Sequence, residues 1–274
     1  MPCFATHPVF ALCICVGVSL SVGIPPLHGT NPVDSNEGGL GSAEQKSCFL
    51  IGNSLTWDTV PSLMGEGVAW HVDCGKSLPY IFENPNNPCV KSSTLWTEAL
   101  KSTRYDILCV QPHFGSTLDQ DVQVIAKWLA LQPDADLVIH TGWGRHAQFV
   151  VDYQSNHDDG RMIHTTDYFA RLVKALSRRF PDRNITTTGA IEVLYQISRD
   201  IEAKQAPFEE FADIYRDDIH LQQKSGRYLV HNLMRVALGL PRSDQGFQIE
   251  PGHKEYFDAK IDQFVASRHP PERK

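Results

Sequence analysis

The chain has 274 residues, 42% of them hydrophobic and 21% charged, with a formal net charge of −7. That composition belongs to a globular protein long enough to bury a full core, and excludes a chain too polar to fold. With acidic residues in excess and no basic patch, nucleic acid and anionic membrane surfaces are not expected partners.

Val9 to Val22 is a run of small and apolar residues, followed by Gly23 and a proline-rich stretch. It is too short to cross a bilayer comfortably. It suits the apolar core of a signal peptide over residues 1–23, with Ser21 and Gly23 as small residues at a cleavage point. The segment before it carries no Lys or Arg, only His7, so an uncleaved membrane anchor is the alternative. Residues 24–46, rich in Pro, Gly, Ser and Asn, read as a flexible linker. The remainder, 47–270, reads as one domain. The expectation is an exported protein, periplasmic or extracellular, with no stable membrane span after processing.

Of the seven cysteines, Cys3, Cys13 and Cys15 fall in the leader. Cys48, Cys74, Cys89 and Cys109 remain, an even number that permits disulfides in an oxidising compartment. Cys74 and Cys89 flank a loop rich in Gly, Pro and Asn and make the better pair; the alternative leaves all four reduced and packed. No CxxC spacing points to zinc.

Cys48 to Ile51 (CFLI) has the character of a buried strand, running straight into Gly52-Asn53-Ser54. Ser54 opens a helix at the strand's carboxyl end, where ligands bind in open α/β sheets. There it reads either as part of a helix cap, with Asn53, or as a nucleophile. Thr59 to Gly67 reads as a short helix or turn, and Val68 to Asp73 as a second strand. The loop from Leu78 to Pro88, with three prolines, reads as an irregular surface excursion. A helix capped by Ser92 or Ser93 runs to about Ser102, and Tyr105 to Val110 is a third buried strand. Leu118 to Leu131 is an amphipathic helix, and Ala135 to Thr141 a fourth strand. Residues 147–162 read as irregular. Helices follow at His164–Phe180, Ala190–Ala203 and Gln222–Leu238, with a short fifth strand at Asn184–Thr188 and a weaker helix at Lys254–Ala266. Strands and helices thus alternate about five times, which calls for a parallel sheet with helices on both faces. Neither GxGxxG after the first strand nor GxxxxGK[ST] is present, so nucleotide binding lacks its main support.

Near the C-terminal end stands Arg216-Asp217-Asp218-Ile219-His220-Leu221. Of the 12 histidines, only His220 has an aspartate three residues before it. In a loop, that spacing lets the carboxylate reach the near ring nitrogen and fix the tautomer, leaving the other nitrogen free to take a serine proton.

Gly52-Asn53-Ser54-Leu55-Thr56 and Asp217-Asp218-Ile219-His220-Leu221 together resemble the SGNH, or GDSL-like, hydrolase family of serine esterases. The resemblance covers about Lys46 to Leu240. It implies a three-layer α/β/α sandwich of flavodoxin-like type. It also implies Ser54 as nucleophile, His220 as base and Asp217 as its orienter. The N–H groups of Ser54 and Gly75 would serve as oxyanion donors. The family's GxND block is replaced by Val110-Gln111-Pro112-His113, where Gln111 is the candidate third donor; otherwise Gln111 and His113 only cap the strand end. The implied activity needs no metal or organic cofactor. The expected substrate is a small-molecule or carbohydrate ester, such as an acetylated carbohydrate.

Trp57, Trp143 and Tyr80 are candidates for stacking on a sugar, with core packing the alternative. His140, His146, His157 and His164, with Asp158 and Asp159, are candidate metal ligands that otherwise read as solvated loop residues; Asp218 reads as a neighbour of the dyad. Asn184-Ile185-Thr186 matches a glycosylation sequon, but on a strand expected to be buried. Two rival readings follow. One is a weakly catalytic domain that binds a glycan or a partner. The other is a metal-dependent phosphoesterase using Asp217, Asp218 and His220, with the histidine-rich loop after the fourth strand folded back onto them.

Overall fold

The computed structural model describes residues 46–155 and 159–268. The leader and the linker up to residue 45 lie outside the described residues, as do His157 and Asp158.

Five strands form one wholly parallel sheet in the order β2-β1-β3-β4-β5. They are β1 Cys48–Gly52, β2 Val68–Val72, β3 Ile107–Val110, β4 Asp136–Ile139 and β5 Ile185–Thr187. The continuous apolar runs of β1 and β3 are buried along their whole length, as expected of strands covered on both faces. Side chains alternate between two cores. Phe49, Ile51, Leu108 and Val110 pack with Trp128, Leu129, Phe169 and Leu172, which lie on helices α4 Leu118–Leu131 and α6 Thr166–Arg179. Cys48, Leu50, Ile107 and Cys109 face the other way, onto Met234 and Leu238 at the end of α8 Gly226–Ala237. This is the three-layer α/β/α architecture expected from the sequence.

The remaining helices are α1 Ser54–Asp58, α2 Leu78–Glu83, α3 Trp96–Ser102, α5 Phe149–Gln154, α7 Ala190–Glu202 and α9 Pro251–Arg268. Two of them correct the sequence reading. The Leu78–Pro88 stretch is not irregular throughout: α2 forms because Pro79 sits in its first turn, where a missing N–H costs nothing, and Leu78 and Ile81 lie in the core. Within 147–162, α5 is held by buried Phe149, whose ring lies 4.9 Å from that of Phe211. The helix expected from Gln222 begins only at Gly226, and the last helix starts earlier, at Pro251. β5 is a half-buried edge strand, and Asn184 just before it is exposed.

Cys74 and Cys89 form a disulfide that closes a 15-residue separation around α2. Cys48 and Cys109 are free thiols in the core. Among the described residues, no helix is long and apolar enough to cross a membrane.

Candidate active site

The carboxyl edge of the sheet gathers the ends of β1, β2 and β3. At the end of β1, Asn53 caps α1 by accepting the Leu55 N–H at 2.9 Å, and Ser54 is the first residue of that helix, half-buried. Asn53 supplies the cap, which leaves the Ser54 hydroxyl free of that duty. It makes no hydrogen bond among the described residues. The turn is tight because residue 52 is glycine: a Cβ there would stand 2.1 Å from Thr56 Oγ1 and 2.8 Å from Gln111 Cβ.

Gln111, at the end of β3, is fully buried. Its Oε1 accepts from the Asn53 N–H at 3.1 Å and the Thr56 hydroxyl at 3.3 Å, and its Nε2 donates to the Pro112 carbonyl at 2.7 Å. An N–H can only meet an oxygen, so these partners fix the orientation of the amide. The side chain thereby fastens the β1–α1 turn to β3.

After β2, Gly75 takes a left-handed φ of +68° in an exposed turn beside the disulfide. The Asn53 amide donates to Lys76 O at 3.3 Å, joining this turn to the one that carries Ser54. Neither the Ser54 nor the Gly75 N–H has a hydrogen-bond partner among the described residues.

Asp217 and His220 stand in direct contact. The two carboxylate oxygens each lie 3.0 Å from His220 Nδ1, and Oδ1 also accepts the N–H groups of Ile219 at 3.0 Å and His220 at 2.8 Å. An ionised carboxylate only accepts, so Nδ1 carries the proton and Nε2 is the free basic nitrogen. Burial pulls the Asp217 carboxyl upward. The two backbone N–H groups, the ring hydrogen bond and the imidazole charge outweigh that pull and hold it at about 2. The loop is closed by a bridge between Tyr215 and Leu221, with the Arg216 N–H donating to His220 O at 2.9 Å.

Two further contacts locate this loop. Asp58, on α1, accepts the Leu221 N–H at 2.8 Å, so the dyad sits against the helix that Ser54 begins. On the other side, the Trp143 indole donates to Ile219 O at 2.7 Å, the His146 N–H donates to Asp218 O at 2.9 Å, and Arg145 pairs with Asp218 at 3.0 Å. The loop after β4 therefore does fold back onto the Asp217–His220 segment. Among the described residues it does so through an indole, a backbone N–H and a guanidinium, with the His146 ring 5.6 Å from that of Tyr215 at the base of the dyad loop. Among the described residues no three His, Cys, Asp or Glu side chains converge as a metal-binding group.

The solvated reading of the loop histidines needs correcting. His140 and His164 are buried, and His113 nearly so. His140 Nδ1 shares a hydrogen bond with the Thr188 hydroxyl at 2.9 Å, and burial pushes its ring down to about 4. His113 is also pushed down to about 4, first by burial and then by the charge of His220. Its ring lies 5.2 Å from that of His164. Asp159 is exposed and pairs with Arg161. Trp143 is buried under the dyad loop, Trp57 is half-buried, and Tyr80 is 38% exposed with Lys76 over its ring.

Sequence reasoning did not single out Asp58, Arg227 or the role of Trp143. Asp58 did leave a trace, standing four residues after Ser54 on the same short helix.

No family model matches the chain, and no curated protein is similar to it in sequence. Comparison with solved structures does find similar chains. It is similar to a DUF4886 family protein from Bacteroides uniformis, at 18% identity and a TM-score of 0.52, covering 84% of this chain and 97% of that one. It is also similar to a member of the lipolytic protein G-D-S-L family from Veillonella parvula, at 14% identity and a TM-score of 0.41, covering 70% of this chain and 94% of that one. A carbohydrate esterase family 3 protein from Talaromyces cellulolyticus matches at 12% identity and a TM-score of 0.37, covering 72% of this chain and 100% of that one. The chain has a five-stranded, wholly parallel α/β fold, which it shares with the DUF4886 family protein.

Proposed function

We propose that this protein is a serine hydrolase that cleaves carboxylic esters by acyl transfer. The observation that carries the proposal is the Asp217–His220 dyad, tautomer fixed, seated against the helix that Ser54 begins. Ser54 Oγ attacks the acyl carbon while His220 Nε2 takes its proton. The N–H groups of Ser54 and Gly75 receive the oxyanion. His220 then returns the proton to the departing alcohol, and water attacks the acyl-serine by the same route. Asp217 stays ionised and stabilises the imidazolium.

Gln111 we assign to holding the β1–α1 turn, because its oxygen already accepts from Asn53 and Thr56 there, while its amide nitrogen already donates to Pro112 O. The oxyanion hole then rests on two backbone donors. One donor fewer costs about 10²–10³ in kcat, which supports a slow enzyme and keeps a glycan-binding role as the second reading. The acyl acceptor we propose is carbohydrate, and the ester an acetyl group. Phe114, on the loop after β3, and Tyr80, on α2, are each 38% exposed and offer rings for a sugar to stack on. Export is part of the same proposal, supported by the Cys74–Cys89 disulfide.

Hydrolysis of p-nitrophenyl acetate and of acetylated oligosaccharides by the chain and by Ser54→Ala tests this reading. Turnover by the parent that disappears in the variant supports it. Equal rates in the two chains refute it, and saturable oligosaccharide binding without turnover would establish the binding role.

A further inference from the structure

The helix that Ser54 begins and the Asp217–His220 loop come from opposite ends of the domain, and they meet at a fully buried carboxylate on that helix. Asp58 is 0% exposed and lies four residues after Ser54 on α1, hence on the same helical face. Its Oδ2 accepts the N–H of Leu221, the residue next to His220, at 2.8 Å. Its Oδ1 takes Arg216 Nη1 at 3.1 Å and lies 3.5 Å from Arg227 Nε. Arg216, immediately before Asp217, also donates to Leu221 O at 3.2 Å. Arg227 donates to the carbonyls of Asp58 and Trp57 at 3.1 Å and 2.8 Å, closing the end of the same helix.

Burying a charge is expensive unless every lone pair is used, and here each oxygen has a partner. All of these partners lie on the dyad loop or on the start of α8 just beyond it. None belongs to the sheet.

We propose that Asp58 is a positioning residue that clamps the Asp217–His220 loop to α1 and so sets where the imidazole stands relative to Ser54. The clamp is a matter of structure; its catalytic consequence rests on the serine-hydrolase reading. Without Asp58, Arg216 and Leu221 N–H lose their anchor and the loop is free to shift. Proton transfer from Ser54 suffers, whereas substrate binding, which does not involve the loop's register on α1, does not.

Two measurements on Asp58→Asn test this. The first is backbone hydrogen exchange, which needs no activity. Exchange across residues 215–222 should quicken about ten-fold or more, while β1, β3 and β4 keep their protection. The second is a double-mutant cycle with His220→Ala on p-nitrophenyl acetate. Asp58→Asn should lower kcat about 10- to 100-fold at nearly unchanged KM, the factor that one lost hydrogen bond to a charged group carries. In the His220→Ala background it should change the residual rate by less than about two-fold, because a residue that acts through the imidazole has nothing left to act on. Should Asp58→Asn fail to fold, Arg216→Gln loosens the same clamp from its more exposed side and should show the same local pattern, smaller in size. Unchanged exchange over 215–222 overturns the proposal. So does an equal fall in rate in both backgrounds, which would mark a general loss of stability. Faster local exchange in a chain whose parent never turns over ester supports the clamp and refutes the hydrolase reading, so the two failures are distinguishable.

Discussion

At the residue scale the site divides into groups that react and groups that hold. Asp217→Asn should cut kcat by about 10³–10⁴, because the amide N–H can donate to Nδ1 and so hold the proton on Nε2, the wrong tautomer for a base, and because a neutral amide does not stabilise the imidazolium. A kcat within a few-fold of the parent's would show that His220 needs no orienter. Gln111 belongs to the second kind. Gln111→Met keeps the volume but leaves the buried Asn53 N–H without its acceptor, at a cost of about 1–3 kcal/mol. Urea unfolding should register that loss, whereas a third oxyanion donor would give a large fall in kcat at unchanged stability. Gly52→Ala should be worse on both counts, since its Cβ would meet Thr56 Oγ1 and Gln111 Cβ, two groups packed tightly in the turn that carries Ser54.

At the element scale, the strands were the most legible part of the sequence. β1 and β3 are apolar without interruption because both faces are covered, and their ends marked where Ser54 and Gln111 would stand. The dyad was legible for a different reason: its two members are three residues apart, so the contact is local. What could not be read is what depends on distant partners. Asp58 meets Leu221 across 163 positions, and no local pattern announces that. α2 was hidden by Pro79 and by the prolines and asparagines that follow it at 84–88, which look like loop residues until Leu78 and Ile81 are seen in the core. This element also carries a prediction. The Cys74–Cys89 bridge closes a 15-residue separation, which constrains the unfolded chain by about 3 kcal/mol. Reduction should therefore lower the unfolding free energy by that amount, seen as a lower urea midpoint, and loosen the Gly75 turn. A midpoint unmoved by reductant would show that α2 is held by its core contacts alone.

At the scale of the whole molecule, buried titratable groups set the response to acid. His71, His113, His140 and His231 are each pushed down to about 4, chiefly by burial. Unfolded, these rings take up protons near the ordinary histidine value of about 6.5. Between the two values the unfolded chain binds more protons than the folded one. Stability is therefore complete above the upper value and falls as the pH drops toward the lower. Asp121 works in the opposite sense. Burial pushes its carboxyl up to about 7, so it favours the folded state as the pH falls through that value. Asp121→Asn removes the opposing contribution. The variant should lose more stability than the parent between neutral pH and pH 4, as read from urea midpoints across that range. A shallower loss in the variant would contradict the assignment.

The claim on which the account depends is that Ser54 is a nucleophile driven by His220. It is tested most directly by covalent labelling with a fluorophosphonate, with the modified residue located by peptide mass spectrometry. A single label on Ser54 is expected in the parent chain, with labelling at least about 100-fold slower in His220→Ala. No label at all, a label on another residue, or equal rates with and without the imidazole would contradict it.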